Sequence, residues 1–228
     1  MAVLEKLGFV YFAGGKVRMG TDRPLPCGLE GYRHNETPVR YVEVAPFYLA
    51  RTKVTNIEYE NVKNKHRRTL EGQGDNCPVS DVTYGEALNY CKRLSILHDL
   101  EFRLPTEPEW TYAASPRGQE FTFGDEPDIT QTHVFNDGTD EWIVPVNDPR
   151  WAPTPEGLDQ MGHNVSEMMQ GMRHTITGEW ESETDGLYYI VKGGNYGHCK
   201  NAPGIHRRSI ADVVDRNPRI GFRLAHNA

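Results

Sequence analysis

Two helix starts written into the middle of this chain limit how much of it can be helical. Thr83-Tyr84-Gly85-Glu86 places a hydroxyl and a carboxylate three residues apart, so that each can satisfy an orphan backbone N–H. Behind it Ala87, Leu88, Cys91, Leu94 and Leu97 recur at helical spacing, which predicts an amphipathic helix over about 83–98. Thr106-Glu107-Pro108-Glu109 repeats the device, with proline tolerated in a first turn, and a short helix follows through Trp110–Ala114. A weaker helix begins near Thr55 and runs through Tyr59.

The rest reads as short strands and loops. Phe9–Ala13, Val17–Met19, Tyr41–Ala45 and Phe47–Arg51 are strand-like, and the alternation across Val39–Val44 is the period of a strand with one buried face. From Ser115 to Glu156 turn-forming residues dominate, a length of loop expected where loops are a working surface. Strands return at Tyr188–Lys192 and Arg219–Ala225. Without repeats, low-complexity tracts or a dividing linker, residues 1–228 read as a single α+β domain.

Several classes of function are disfavoured at once. A net charge of −7 argues against nucleic acid as partner, because that affinity comes from Lys and Arg meeting phosphates. No apolar run approaches membrane-spanning length, so no membrane insertion is expected. Residues Met1–Gly8 are too short and too charged for a signal-peptide core, which points to cytoplasmic or virion residence. The cysteines Cys27, Cys77, Cys91 and Cys199 form no zinc-like cluster and are expected as free thiols. Asn164-Val165-Ser166 matches a glycosylation sequon, which has no meaning without a secretory route.

An ordered series of segments carries a resemblance. It runs from Met19-Gly20, Glu36-Thr37-Pro38 and Lys53-Val54-Thr55-Asn56 through Pro78-Val79-Ser80 to Phe102-Arg103-Leu104-Pro105-Thr106-Glu107-Pro108-Glu109-Trp110. It continues with Gly157-Leu158, Asn164-Val165 with Glu167, Lys192-Gly193-Gly194-Asn195-Tyr196, and Gly221-Phe222-Arg223. The series resembles the sulfatase-modifying-factor, or formylglycine-generating-enzyme-like, domains, which implies their branch of the C-type lectin-like fold. Within it, Arg103 beside Glu107 and Glu109 reads as a charge-assisted scaffold network at a helix start. Gly193-Gly194 reads as a backbone position that excludes side chains.

The catalytic members of that family oxidise a substrate cysteine using copper held by two cysteines spaced C-x-x-x-x-C. Here the segment offers Cys199 alone, and Gly204 stands at the second position. One thiolate cannot supply linear two-thiolate coordination of a soft metal, so no copper is expected. Asn195 replaces the family's serine, while Ser166 and Met168 replace two tryptophans, so no catalytic residue is assigned. Cys199 beside His198 makes a poor nucleophile pair, since neighbours on a strand face opposite ways, and it reads as a small buried hydrophobe. The resemblance also implies structural calcium, held by carbonyl and carboxylate oxygens of His163, Val165 and Glu167 with the Gln160 amide. A second calcium site would fall in Asn136–Asp140, where the match is too loose to assign.

Between Asn195 and Ile220 the chain contains no Glu, Gln, Met or Trp and one Lys. That bias is similar to the variable region of proteins diversified by retroelements, some of them phage receptor-binding proteins, which display a changeable surface on this fold. From Lys192 to Arg223 there are seven Lys and Arg against two Asp, a positive patch on an acidic protein. Asn195, Tyr196, His198, Asn201, His206, Arg207, Asp212, Arg216 and Asn217 are the candidate ligand contacts, the adaptable polar residues that binding loops use. Arg207, Arg208, Arg216 and Arg223 read equally as internal ion-pair partners, Arg223 the more so because the resemblance places it in the family's closing strand. The expected function is a non-catalytic module recognising a protein or glycan through these loops, with a virion as one setting and homo-oligomers or virion assemblies as further partners. Two alternatives stand beside it: an oxidoreductase of the formylglycine type with a rearranged site, and a structural assembly component of a virion.

Overall fold

Both capping boxes close in the computed structural model, which describes residues 2–22, 36, 38–63, 66–68, 73–115, 118–122, 124–125, 143–172, 188–196 and 204–228. In chain order the described elements are α1 (Ala2–Lys6), β1 (Phe9–Phe12), β2 (Gly15–Met19), β3 (Arg40–Val44), β4 (Phe47–Ala50), α2 (Asn56–Lys63) and α3 (Tyr84–His98). There follow β5 (Phe102–Arg103), α4 (Glu107–Ala114), β6 (Ser166–Met172), β7 (Tyr188–Lys192), β8 (Arg208–Asp212), β9 (Ile220–Gly221) and β10 (Ala225–Asn227).

Thr83 Oγ1 accepts from the Glu86 amide at 3.2 Å while Glu86 returns a carboxylate to the Thr83 N–H at 2.9 Å. Thr106 and Glu109 do the same at 3.3 and 2.8 Å. A third reciprocal pair, Thr55 with Glu58 at 3.3 and 2.8 Å, starts α2, so this helix is as deliberately begun as the other two. On α3 the buried stripe is Ala87, Tyr90 and Cys91, while Leu88 and Leu97 flank it and remain exposed. Asp99, with φ of 53°, ends the helix in the left-handed conformation.

The first sheet has the order β1-β4-β10-β5, with every neighbour pair antiparallel. Its strand β4 contributes Phe47 and Leu49, both fully buried. The second sheet has the order β8-β7-β6-β9, with β6 and β9 parallel. Strands β2 and β3 pair separately. Strand β6 falls where the sequence offered a calcium loop, and β8 where it offered a binding loop. Their sequences lack a clean alternation for a physical reason: Met168 of β6 belongs to one apolar cluster and the adjacent Met169 to the other, so both faces of the strand are buried. The expected strand Arg219–Ala225 is instead divided. β9 closes the second sheet, β10 enters the first, and Phe222–Leu224 cross between them.

A Cβ would meet backbone at under 3 Å at Gly14, Gly20 and Gly221, and would be tightly crowded at Gly193. A Cβ on Gly193, where φ is +78°, would lie 3.1 Å from the Gly162 Cα and 3.2 Å from the Trp110 ring. One on Gly221 would meet the Val79 carbonyl oxygen at 2.4 Å. Gly85, on α3, has nothing within 4 Å. Gly221→Ala should therefore destabilise the fold by about 1–3 kcal/mol through overpacking. Gly85→Ala should be neutral or stabilise by up to ~1 kcal/mol, because alanine is the better helix former. Urea denaturation of the pair checks this, and equal effects would show that the Val79–Gly221 approach is not a constraint.

Candidate functional site

The crossing at Phe222–Leu224 carries a fully buried arginine. Arg223 donates through Nε and Nη2 to the two oxygens of Glu167 at 2.6 and 3.0 Å. It also donates to the carbonyls of Ala50 and Arg51 at 3.1 Å each, and of Asp159 at 3.2 Å. Lys53, equally buried, places Nζ 3.4 Å from Glu167 and 2.7 Å from the Gln160 carbonyl. Burial drives the Lys53 ammonium down to about 8, against the pull of Glu167. Burial alone would raise the Glu167 carboxyl, but Arg223 and Lys53 outweigh it and hold the group below the usual carboxylate range.

The residues expected to hold calcium are bonded to one another and to their neighbours. The Glu167 carboxylate is already shared by two fixed cations, and the Gln160 amide oxygen accepts from Asn164 Nδ2 at 2.8 Å. Val165 packs with Cys77, Ile143 and Tyr196, and His163 is buried in the preceding turn. A divalent ion at Glu167 would stand against a buried guanidinium and a buried ammonium, so the Glu167 carboxylate does not fit calcium. Asn136–Asp140 lies outside the described residues.

Where the resemblance places a catalytic pocket, two of its departures touch each other. Asn195 Nδ2 donates to Ser166 Oγ at 3.0 Å, and Ser166 Oγ donates to the Gly193 carbonyl at 3.0 Å. Both residues are buried and form an internal hydrogen-bonded pair. Met168, at the other tryptophan position, packs into an apolar cluster. Gly204 carries no thiol, and Cys199 lies outside the described residues with His198 and Asn201. The side chains here do not supply the two-thiolate set that copper of the family type requires.

Next to this pair lies a buried ionic cluster that sequence reading did not assemble. Register alignment sets Lys192 of β7 opposite Arg208 of β8, and both face Glu107 at the start of α4, at 3.7 and 3.2 Å. Glu107 therefore departs from the expected Arg103 network, which Arg103 and Glu109 form by themselves through two bonds of 2.8 and 2.6 Å. Arg18 of β2 donates to Glu120 at 2.7 Å, with His206 Nε2 3.4 Å from Arg18. Burial, with the cations Lys192 and Arg18, pushes the His206 imidazole down to about 3, so it is neutral. Burial raises the Glu36 carboxyl even though Lys192 and Arg207 oppose the shift. These charges come from segments far apart in sequence. The one local signal was Lys192 ending the otherwise apolar run Tyr188–Val191.

The expected contact surface changes accordingly. Asn195, Tyr196, His206 and Arg207 are buried and face inward, so they do not form it. Tyr196 donates its hydroxyl to the Pro218 carbonyl at 3.3 Å, beneath the Arg219 guanidinium. Asp212 and Asn217 spend their carbonyl-type oxygens on turns, accepting from the Val214 and Arg219 amides at 3.0 and 2.9 Å. Of the described candidates only Arg216 is exposed, where it donates to Glu86 at 2.7 Å and to the Asp81 carbonyl at 2.9 Å. Beside it the connection from β8 to β9 presents Val214, 71% exposed, with Asp215 and Arg219 exposed as well.

Two stability measurements follow. Arg223→Met leaves Glu167 buried with Lys53 alone and should cost about 3–5 kcal/mol, as removal of one partner of a buried ion pair does. Lys53→Met, which keeps the two-bond Arg223 pair, should cost clearly less in the same urea titration, and the reverse order would show that Lys53 is the anchor. For His206 the folded imidazole titrates near 3 and the unfolded one near 6.5. Between those values the unfolded chain binds one more proton, so stability falls as pH falls through that window, by about 1.4 kcal/mol per pH unit at most. His206→Gln should remove one proton's worth of that slope. An unchanged slope would mean that His206 is charged or exposed in the folded state.

Comparison with known proteins places this geometry. The sulfatase-modifying factor enzyme 1-like domain matches residues 3–228. A curated relative, "Chaperone protein LppX" of Paenibacillus barcinonensis, is 24% identical over 231 residues and covers 82% of each chain. Among solved structures, PvdO of Pseudomonas aeruginosa superposes with a TM-score of 0.78 at 23% identity, over 96% of this chain and 94% of that one. Treponema denticola variable protein 1 does so at 0.76 and 19%, over 96% and 95%. At these identities the structures share a fold, the mixed α+β fold of formylglycine-generating-enzyme-like proteins. With nearly its whole length matched, the chain belongs to the sulfatase-modifying factor enzyme 1-like domain family.

Proposed function

We propose that this chain is a non-catalytic recognition module that binds a protein or glycan through residues 210–219, the end of β8 and its connection to β9. The observation that carries the reading is the division of labour in its C-terminal third. Buried residues anchor the segment, while Val214 and its charged neighbours project from turns held by Asp212 and Asn217. An exposed aliphatic residue ringed by Arg216, Arg219 and Asp215 has the composition of a small interface centre with a polar rim. Turns fixed in advance reduce the ordering cost of binding.

The loss of enzymatic chemistry is supported by Ser166 and Asn195, whose mutual hydrogen bond occupies buried space the family's catalytic members line with an indole. A protein ligand is the better match to the exposed Val214, and the Paenibacillus relative is named as a chaperone protein.

The folded chain should bind members of a peptide display library or a glycan array. Binding should weaken roughly tenfold or more in Val214→Asp and in Asp215→Lys, the effect of losing one interface hot spot. The thermal midpoint should be unchanged. Binders indifferent to both substitutions would move the site elsewhere. Oxygen consumption with a thiol-bearing peptide and copper would overturn the non-catalytic reading itself.

A further inference from the structure

On the side built by α2, α3 and the first sheet lies a cavity of about 470 Å³, which shares no residue with the cluster around Lys192. Phe9, Tyr90, Phe102 and Leu224 line it from the core, and all four are buried. Leu97 of α3, 67% exposed, and Leu7, 41% exposed, also line it and remain partly in water. The polar lining comes largely from one stretch of chain, Arg51–Lys53, with Glu58 and Asn61 of α2 close behind.

We infer that this cavity binds a small amphipathic molecule, an aliphatic or aromatic body with one uncharged hydrogen-bonding head. The volume is within the usual range for small-molecule sites, about 300–1,000 Å³, and so is the mixture of an apolar wall with a few polar groups. A hydrocarbon body takes Leu7 and Leu97 out of water.

The charged groups at the cavity are already engaged. Arg51 donates to Asp159 at 2.8 Å, Glu58 accepts from Thr55 at 2.8 Å, and Lys53 is held by Gln160 and Glu167. What remains on the wall for a head group is the hydroxyl of Thr52, the amide of Asn61 and the phenol of Tyr90, which are neutral, and the exposed His98 imidazole is in ring contact with Phe102. An alcohol or amide meets them without a charge to desolvate.

Titration of the full chain with 1-decanol and with decanoate, followed by calorimetry and ¹H–¹⁵N NMR, tests the inference. Decanol should saturate one site, with shift changes centred on Leu7, Asn61, Leu94 and Leu97, and a negative heat-capacity change should mark the apolar burial. Decanoate should bind about tenfold or more weakly, reflecting the cost of bringing a carboxylate to an apolar wall. Val62→Trp, which places an indole in the cavity, should weaken decanol by a similar factor, whereas Val214→Asp should not. If Val62→Trp does not fold, the shift map on the unaltered chain decides. Absence of saturable shifts, shifts centred elsewhere, or decanoate binding as tightly as decanol would overturn the inference. None of these results bears on recognition at residues 210–219, which shares no residue with the cavity.

Discussion

One guanidinium joins the two sheets. Arg223 has five N–H donors, and each finds an acceptor: two on Glu167 and three on the backbone at Ala50, Arg51 and Asp159. Those acceptors belong to the end of β4, the turn before β6, and β6 itself. The chain must leave the second sheet at β9 and enter the first at β10, and the arginine between them fixes both departures. A lysine could not replace it, since a point charge with three donors cannot reach five acceptors arranged in a plane. Burying such a pair is costly, and its benefit is specificity: β6 and β9 have a single register in which Glu167 meets Arg223. The same pair consumes the carboxylate that calcium would need.

A second constraint lies in the buried pair Ser166 and Asn195. Two positions that look independent in sequence form one contact, since Asn195 reaches across to Ser166. Neither polar group is stranded, because Ser166 continues the chain of bonds to Gly193. Near them Lys192 and Arg208 both face Glu107, which ties β7 and β8 to the start of α4.

What the sequence disclosed divides along physical lines. Local signals were read correctly: both capping boxes, the strand at Tyr188–Lys192 and the close approach at Gly193 are each encoded within a few residues. Signals that depend on two distant segments were not. Strand β6 was hidden because Met168 and Met169 serve different cores. The strand Arg219–Ala225 was read as continuous because its apolar residues are continuous, although they belong to two sheets. Glu107 was assigned to Arg103, its neighbour in sequence, when the stronger demand came from Lys192 and Arg208 across the fold. Buried polar side chains are where the sequence and the structure differ most, since His206, Arg207 and Asn195 are buried although their residue types are normally met at a surface.

The composition of Asn195–Ile220, which first marked that segment as a binding surface, has a second source. Arginine and histidine are required at 206–208 by the ionic cluster, and Asp212 and Asn217 by the turns they cap. Tyr196 and Asn195 are required by the packing beneath them. These positions are constrained, whatever the segment binds. Within this segment, freedom to vary among the described residues therefore concentrates at Val214 and Asp215, since Arg219 lies over the Tyr196 ring. Arg216 is tethered to Glu86, so the tip around Val214 is the part of this surface that can change its chemistry at least cost to the scaffold.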